Sequence, residues 1–534
     1  MESAFLGVLF FFVGALLTFC TKAAYKHKVF GITSLIAMGT LLPSLYNSLY
    51  YGSASQLNFD FTLLYQKFQI AIDPLSALMS AILLIPLAIF LFNAIVTKTK
   101  NKIYNPEILM LLMGVTLFTL LVQNGIYFYI GILALSILLL IYAGISDENI
   151  SHLRNKSFIV YLINTLIVLA LMILGIESQG LTFSSFVKAL GKDINFNNNI
   201  FILIFISFCT LLFSSKYILN SLKLLKPSNH NLLLVINTTL YVICVYGLFR
   251  FISMGAVPTL LPQCIIMTIL SLLICTKIYK LYKSENLQDA LSCMKTINTA
   301  LLLNAMLFGI FGYVYGTTVL SILGYSAAFI FFINTIITEY FLRYNSNEFK
   351  ELSDKINDNN ISAHDDCSYK KILYLGLYNY SGAPGALGFV GWLFITGALY
   401  IGIIQQTNII KIVSIILSVF MVIVFSALMF RTFVLIKRDL SSNNTTQEFT
   451  TPKLNFILGC FPILAGIFPQ QIIRIIFVPV SFFTGGTKFY NIFQAISSMF
   501  NLYSIYLFGI ILLTVLYVVA KVIVLKVLNH HTKV

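Results

Sequence analysis

Residues 201–227 read FILIFISFCTLLFSSKYILNSLKLLKP. A helix that crosses the hydrocarbon core of a bilayer needs about 20 predominantly apolar residues. This run is long enough, and it carries one cation, Lys216, toward its end. Comparable runs recur near 4–20, 30–50, 72–96, 106–123, 126–144, 158–176, 199–220, 231–253, 256–276, 295–314, 316–341, 384–404, 408–430, 454–470 and 503–527, about fifteen in all. The fold class expected is therefore all-α: a polytopic transmembrane helix bundle of about 14–15 spans.

Composition agrees. Of 534 residues, 58% are hydrophobic and only 10% charged, and the mean hydropathy is +0.90. Soluble chains carry roughly 25% charged residues. So much apolar surface needs lipid as its solvent. The net charge of +15 is spread through short loops between apolar runs, which excludes a nucleic-acid patch and reads as topology. Lys22, Lys26 and Lys28 follow the first run; Lys98, Lys100 and Lys102 the third; Arg154 and Lys156 the fifth. Lys223 and Lys226 follow the seventh, Lys277, Lys280 and Lys283 the ninth, and Arg343 and Lys350 the eleventh. By the positive-inside rule the N-terminus lies outside and the C-terminus in the cytoplasm. The first run lacks a basic n-region and a small-residue cleavage site, so it is expected as a retained span. A bacterial inner membrane is the expected location.

The run order divides the chain into N-terminal spans (1–70), a first bundle part (71–342), a cytoplasmic loop (343–371), a second bundle part (372–440) and C-terminal spans (441–534). The loop is mixed in charge, with room for one short helix.

No phosphate-binding loop, dinucleotide turn, H-E-x-x-H or Cys cluster is present in the sequence. The eight Cys form no C-x-x-C pair, and the six His fall in loops or the tail. No metal and no cofactor is expected. What remains is polar groups at membrane depth, which are expensive there and mark functional candidates. Asp73 opens the third span before Pro74, Arg250 ends the eighth, and Glu339 lies near the end of the eleventh. Placement at the interface is the plainer reading for Glu339. For Lys216 an interface position and a desolvated, titrating site remain open alternatives. SGAPGALGFVGW (381–392) puts Gly382, Pro384 and Gly388 where a helix would break, and Pro227 ends the seventh run similarly. A tight small-residue packing face is the competing reading of 381–392.

At these residues the chain resembles the antiporter-like family: the proton-pumping membrane subunits of respiratory complex I, most closely the N-type subunit, with the related hydrogenase and multisubunit Na+/H+ antiporter subunits. The resemblance spans about residues 70–440 and lies in IDPLSALM (72–79), YFYIGILALSILLLIYAGI (127–145), the interval from Lys216 to Pro227, YGLFR (246–250), VLSILGYSAAF (319–329) and SGAPGALGFVGW. It implies broken helices near Lys216 and Pro384. It also implies translocation of protons or cations, for which the candidate residues are Lys216, Asp73, Lys223, Arg250 and Glu339. The partners it implies are other membrane subunits of a complex I-like or antiporter complex, with lipid around them and no nucleic acid.

Any redox step of an NADH:quinone oxidoreductase would belong to other subunits. The chain departs from the family pattern where Leu133, Val242 and Trp392 stand at positions that are ionisable in the family. A pump-incompetent structural or assembly paralogue is the first alternative, and an unrelated multispan solute transporter the second.

A reporter fused after Val534 is expected to be active only on the cytoplasmic side, and one fused before Met1 only outside. Protease protection in oriented vesicles checks both.

Overall fold

In the computed structural model, the residues described are 2–22, 25–63, 66–96, 106–146, 194–222, 230–253, 257–284, 287–314, 318–357, 374–405, 408–442 and 461–484, with single positions elsewhere. The elements are α1 (Glu2–Cys20), α2 (Lys26–Tyr51), β1 (Ser55–Leu63), β2 (Gln66–Ile72), α3 (Pro74–Val96), α4 (Pro106–Leu121), α5 (Gly125–Ser146), α6 (Ile194–Leu222), α7 (His230–Ser253), α8 (Leu260–Lys283), α9 (Leu287–Val314) and α10 (Thr318–Asn357). A short helix, α11 (374–381), precedes α12 (Leu387–Gln405) and α13 (Asn408–Ser442). A bent pair follows, α14 (Phe461–Ile467) and α15 (Gln470–Thr484). Among the described residues seven helices are long and apolar enough to cross a membrane, or eight with the bent pair counted as one span.

The surface shows what surrounds the bundle. On α8, Leu261, Ile265, Ile269 and Leu272 form an exposed apolar stripe, while Met267, Leu270 and Ile274 face inward. On α13, Ile412, Ile416, Val419, Val422 and Ile423 are exposed against buried Ser414, Leu417, Met421 and Val424. Helices apolar on both faces suit a lipid surround, where every backbone group must be satisfied inside its own helix. By contrast α9 and the first half of α10 are buried nearly all round and form the centre of the bundle.

These two central helices meet at small residues. A Cβ added to Gly324 would run into the backbone nitrogen of Gly309, and one added to Gly312 into that of Ser321. Without a hydrophobic drive between helices in lipid, such close approach supplies the packing energy. At the end of α8, Arg431 of α13 donates from Nη2 to the Ser284 carbonyl (2.7 Å) and from Nε to that of Leu281 (3.2 Å). A cation there also complements the helix dipole.

Three features go beyond the span count. Residues 55–72 form an antiparallel hairpin with a register shift between Phe59 and Thr62. Phe68 lies against Phe118 of α4 and Tyr127 of α5 (ring centroids 5.8 and 5.0 Å). Gln123 N–H donates to the Gln69 carbonyl (3.2 Å), so the hairpin braces the start of α3 against the α4–α5 turn. Second, α10 continues as helix through the first half of the predicted cytoplasmic loop, to Asn357. Third, the helices of the bent pair meet at 83°.

Gly324→Val is expected to destabilise the bundle by about 2–3 kcal/mol through overpacking. Gly39→Ala faces open space on α2 and should change stability by less than about 1 kcal/mol. Thermal melts of the detergent-solubilised chain followed by size exclusion compare the two.

Candidate functional site

Among the described residues three ion pairs join helices; Lys26–Glu107 is the most exposed of them, and the other two lie deeper in the bundle. The first of these two begins with an Asp-Pro start signal. Pro74 opens α3, where its missing N–H costs nothing. Asp73 caps it: Oδ1 accepts from Ser76 N–H (2.8 Å), and Ser76 Oγ accepts from Asp73 N–H (3.0 Å), a reciprocal cap. The other oxygen, Oδ2, takes a charged hydrogen bond from Arg250 Nη1. Arg250 lies in the last turn of α7, and its guanidinium sits over the Tyr246 ring (5.8 Å). Tyr246 packs on Phe128 of α5, and Phe249 stacks on Phe329 of α10 (4.3 Å). Both charged side chains are buried, at 4% and 7% exposure. The pair therefore joins α3 and α7 and is walled by α5 and α10, with both oxygens engaged by donors.

The second pair is Lys295 of α9 with Glu339 of α10. It is less enclosed, at 20% and 11% exposure. The Lys295 ammonium lies over the Tyr241 ring (5.7 Å), and the Tyr241 hydroxyl pairs with Thr299 Oγ1 (3.3 Å), one helical turn beyond Lys295. A line of polar groups leads from there into the bundle. Asn298 Nδ2 donates to the Tyr380 carbonyl (3.0 Å), Tyr380 Oη to that of Thr335 (3.4 Å), and Asn334 Nδ2 to that of Asn379 (3.2 Å).

The line ends where a helix stops and restarts. α11 ends at 381, the chain turns through Gly382 (φ 70°) and Gly385 (φ 88°), and α12 begins at Leu387. Both φ values are left-handed, which glycine adopts without steric cost. Gly388 is packed so closely that a Cβ there would come within 2.8 Å of the Asn379 carbonyl. Trp392 covers Gly382 and meets Phe331 and Phe425 edge-on (6.0 and 5.3 Å).

The structure thus brings Asp73 and Arg250 together and gives Glu339 a partner, Lys295, that sequence reasoning missed. Lys295 begins an apolar run, where it reads as an ordinary boundary cation. α6 passes through Lys216 as helix to Leu222, while the Lys216 side chain, Lys223 and Pro227 lie outside the described residues. Val242 and Trp392 are buried, and each is enclosed in the apolar core.

No known family profile and no curated protein matches this chain. Solved structures do. A chain of the Mrp complex from Dietzia sp. DQ12-45-1b aligns with a TM-score of 0.69 at 13% identity, covering 97% of this chain and 56% of that one. This chain therefore spans little more than half of that relative. A chain of the membrane-bound sulfane sulfur reductase, an archaeal respiratory membrane complex, aligns at 0.68 and 12% identity, covering 91% and 98%. One from respiratory complex I of Thermus thermophilus aligns at 0.62 and 16%, covering 92% and 99%. At such identities the likeness is one of fold. Two of these three complexes, the Mrp complex and complex I, are of the kinds named in the resemblance of residues 70–440.

Asp73→Asn or Arg250→Leu alone is expected to cost about 3–5 kcal/mol, because each strands a buried charge. The double variant should recover much of that loss, since it leaves no charge uncompensated. Melting temperatures of the three variants, compared in a double-mutant cycle, check this.

Proposed function

We propose that this chain is a membrane subunit of a larger proton- or cation-translocating assembly of the complex I or Mrp kind, nearest the N-type subunit. The observation that carries the reading is the shared fold over at least 91% of the chain with subunits of two respiratory complexes and of the Mrp complex. A subunit of this kind performs no redox step. It supplies ionisable groups at membrane depth, broken helices beside them, and surfaces for neighbouring subunits. Lys216 on α6 and the Lys295–Glu339 pair are the ionisable groups assigned to transport; Asp73 and Arg250 hold α3 to α7. In this reading the N-terminus lies outside and the C-terminus in the cytoplasm.

One observation favours a second reading, that of a structural paralogue without transport. Val242 and Trp392 sit in apolar packing where the resemblance calls for ionisable groups.

Extraction in mild detergent followed by native electrophoresis tests the subunit reading. Co-migration with other membrane subunits is expected, and migration as a lone chain contradicts it. Proteoliposomes of the intact assembly separate the two readings. Transport predicts a proton flux that falls at least tenfold in Lys216→Ala, whereas the structural paralogue predicts a flux indifferent to Lys216.

A further inference from the structure

We propose that Lys295 and Glu339 form an exchangeable proton site, supplying from α9 and α10 the ionisable chemistry that Val242 and Trp392 do not supply from α7 and α12. The proposal rests on the transport reading above and names the groups that would carry it.

The two buried pairs differ in what they can do. Asp73–Arg250 is sealed, its carboxylate oxygens both engaged, and a guanidinium does not release its proton in proteins. Lys295–Glu339 joins two groups that can each change protonation, and it is less enclosed, with part of both side chains exposed. Lys295 lies six residues into the apolar stretch Asp289–Val314, about 9 Å along the helix axis at 1.5 Å per residue. Glu339 closes the apolar stretch of α10. The pair thus stands just inside one membrane boundary.

Its inner side faces Tyr241, the residue directly before Val242, so an ammonium reaches that neighbourhood from a different helix. Beyond it, Asn304 and Asn379 are fully buried, and their side-chain amides have no hydrogen-bond partner among the described residues. Buried amides in that position are ordinarily satisfied by ordered water. Water held by those amides would give the polar line from Lys295 to the interruption at Gly382 the proton-carrying contacts that the apolar Val242 and Trp392 lack.

The cycle balances without an electron donor. A proton from the open side binds the Glu339 carboxylate and breaks the ion pair. The Lys295 ammonium then releases a proton to water on the polar line. Transfer of the remaining proton from the Glu339 carboxyl to the Lys295 amine restores the pair, with one proton in and one out.

Three variants in the intact assembly test this. Lys295→Arg keeps the positive charge but cannot release a proton. We expect it to assemble normally and to lose at least tenfold in proton flux. A merely structural pair would leave the flux at the wild-type rate, and that result overturns the proposal. Lys295→Met with Glu339→Leu removes both charges while filling the space. It is expected to assemble and not conduct, and wild-type flux from it also overturns the proposal.

Infrared difference spectra between two pH values provide a readout that does not depend on flux. A carboxyl band that disappears in Glu339→Gln is expected, and a spectrum without any Glu339-dependent band overturns the proposal even if the assembly conducts. Conversely, that band present in an assembly without flux leaves the pair titrating and contradicts the transport reading.

Discussion

An ionised group inside this bundle has no bulk water to solvate it, so it must bring its counter-charge with it. That constraint organises the interior. Asp73 arrives at the start of α3 and Arg250 at the end of α7, 177 residues apart in the chain, and they meet because neither tolerates burial alone. Lys295 and Glu339 do the same for α9 and α10. The two sites differ in enclosure, Asp73–Arg250 being the more deeply buried. Around them, the apolar exterior of α8 and α13 keeps water away from the same interior.

Close backbone approach is the second organising feature. Gly309, Gly312 and Gly324 let α9 and α10 touch along their backbones, which sets the separation at which Lys295 can reach Glu339. The interruption at Gly382 and Gly385 turns the chain between α11 and α12 while Asn298 and Asn334 bond the carbonyls of Tyr380 and Asn379. Side-chain amides thus satisfy backbone groups of the helix that stops there, the condition on which lipid tolerates a broken helix. α14 packs its Gly466 backbone against Gly385 and Ala386, closing the break from the other side.

Much of this was legible in the sequence because lipid imposes long apolar runs, and the runs announce themselves. The helix boundaries at Cys20, Tyr51 and Lys283 fall within a few residues of where hydropathy alone puts them or the cations beyond them. The interruption near Pro384 was visible because four glycines and a proline cannot easily propagate a helix. The hairpin at 55–72 was not, since its alternation is short and sits between two strong helical runs. Nor was either ion pair legible as a pair. Asp73, Arg250 and Glu339 each stood out as a lone charge, but their partners are set by tertiary packing. Lys295 was hidden by its position at the edge of a run, where a lysine usually snorkels to the interface. Here α10 covers that edge and supplies Glu339 instead.

The proton site proposed at Lys295–Glu339 depends on a hydrated line from that pair to the helix interruption. A structure of the native assembly, at a resolution that shows ordered water, tests it most directly. Water is expected within hydrogen-bonding distance of the Asn304 and Asn379 amides, continuous with the Lys295–Glu339 pair. A dry interior there, with both amides packed against apolar side chains, would contradict it.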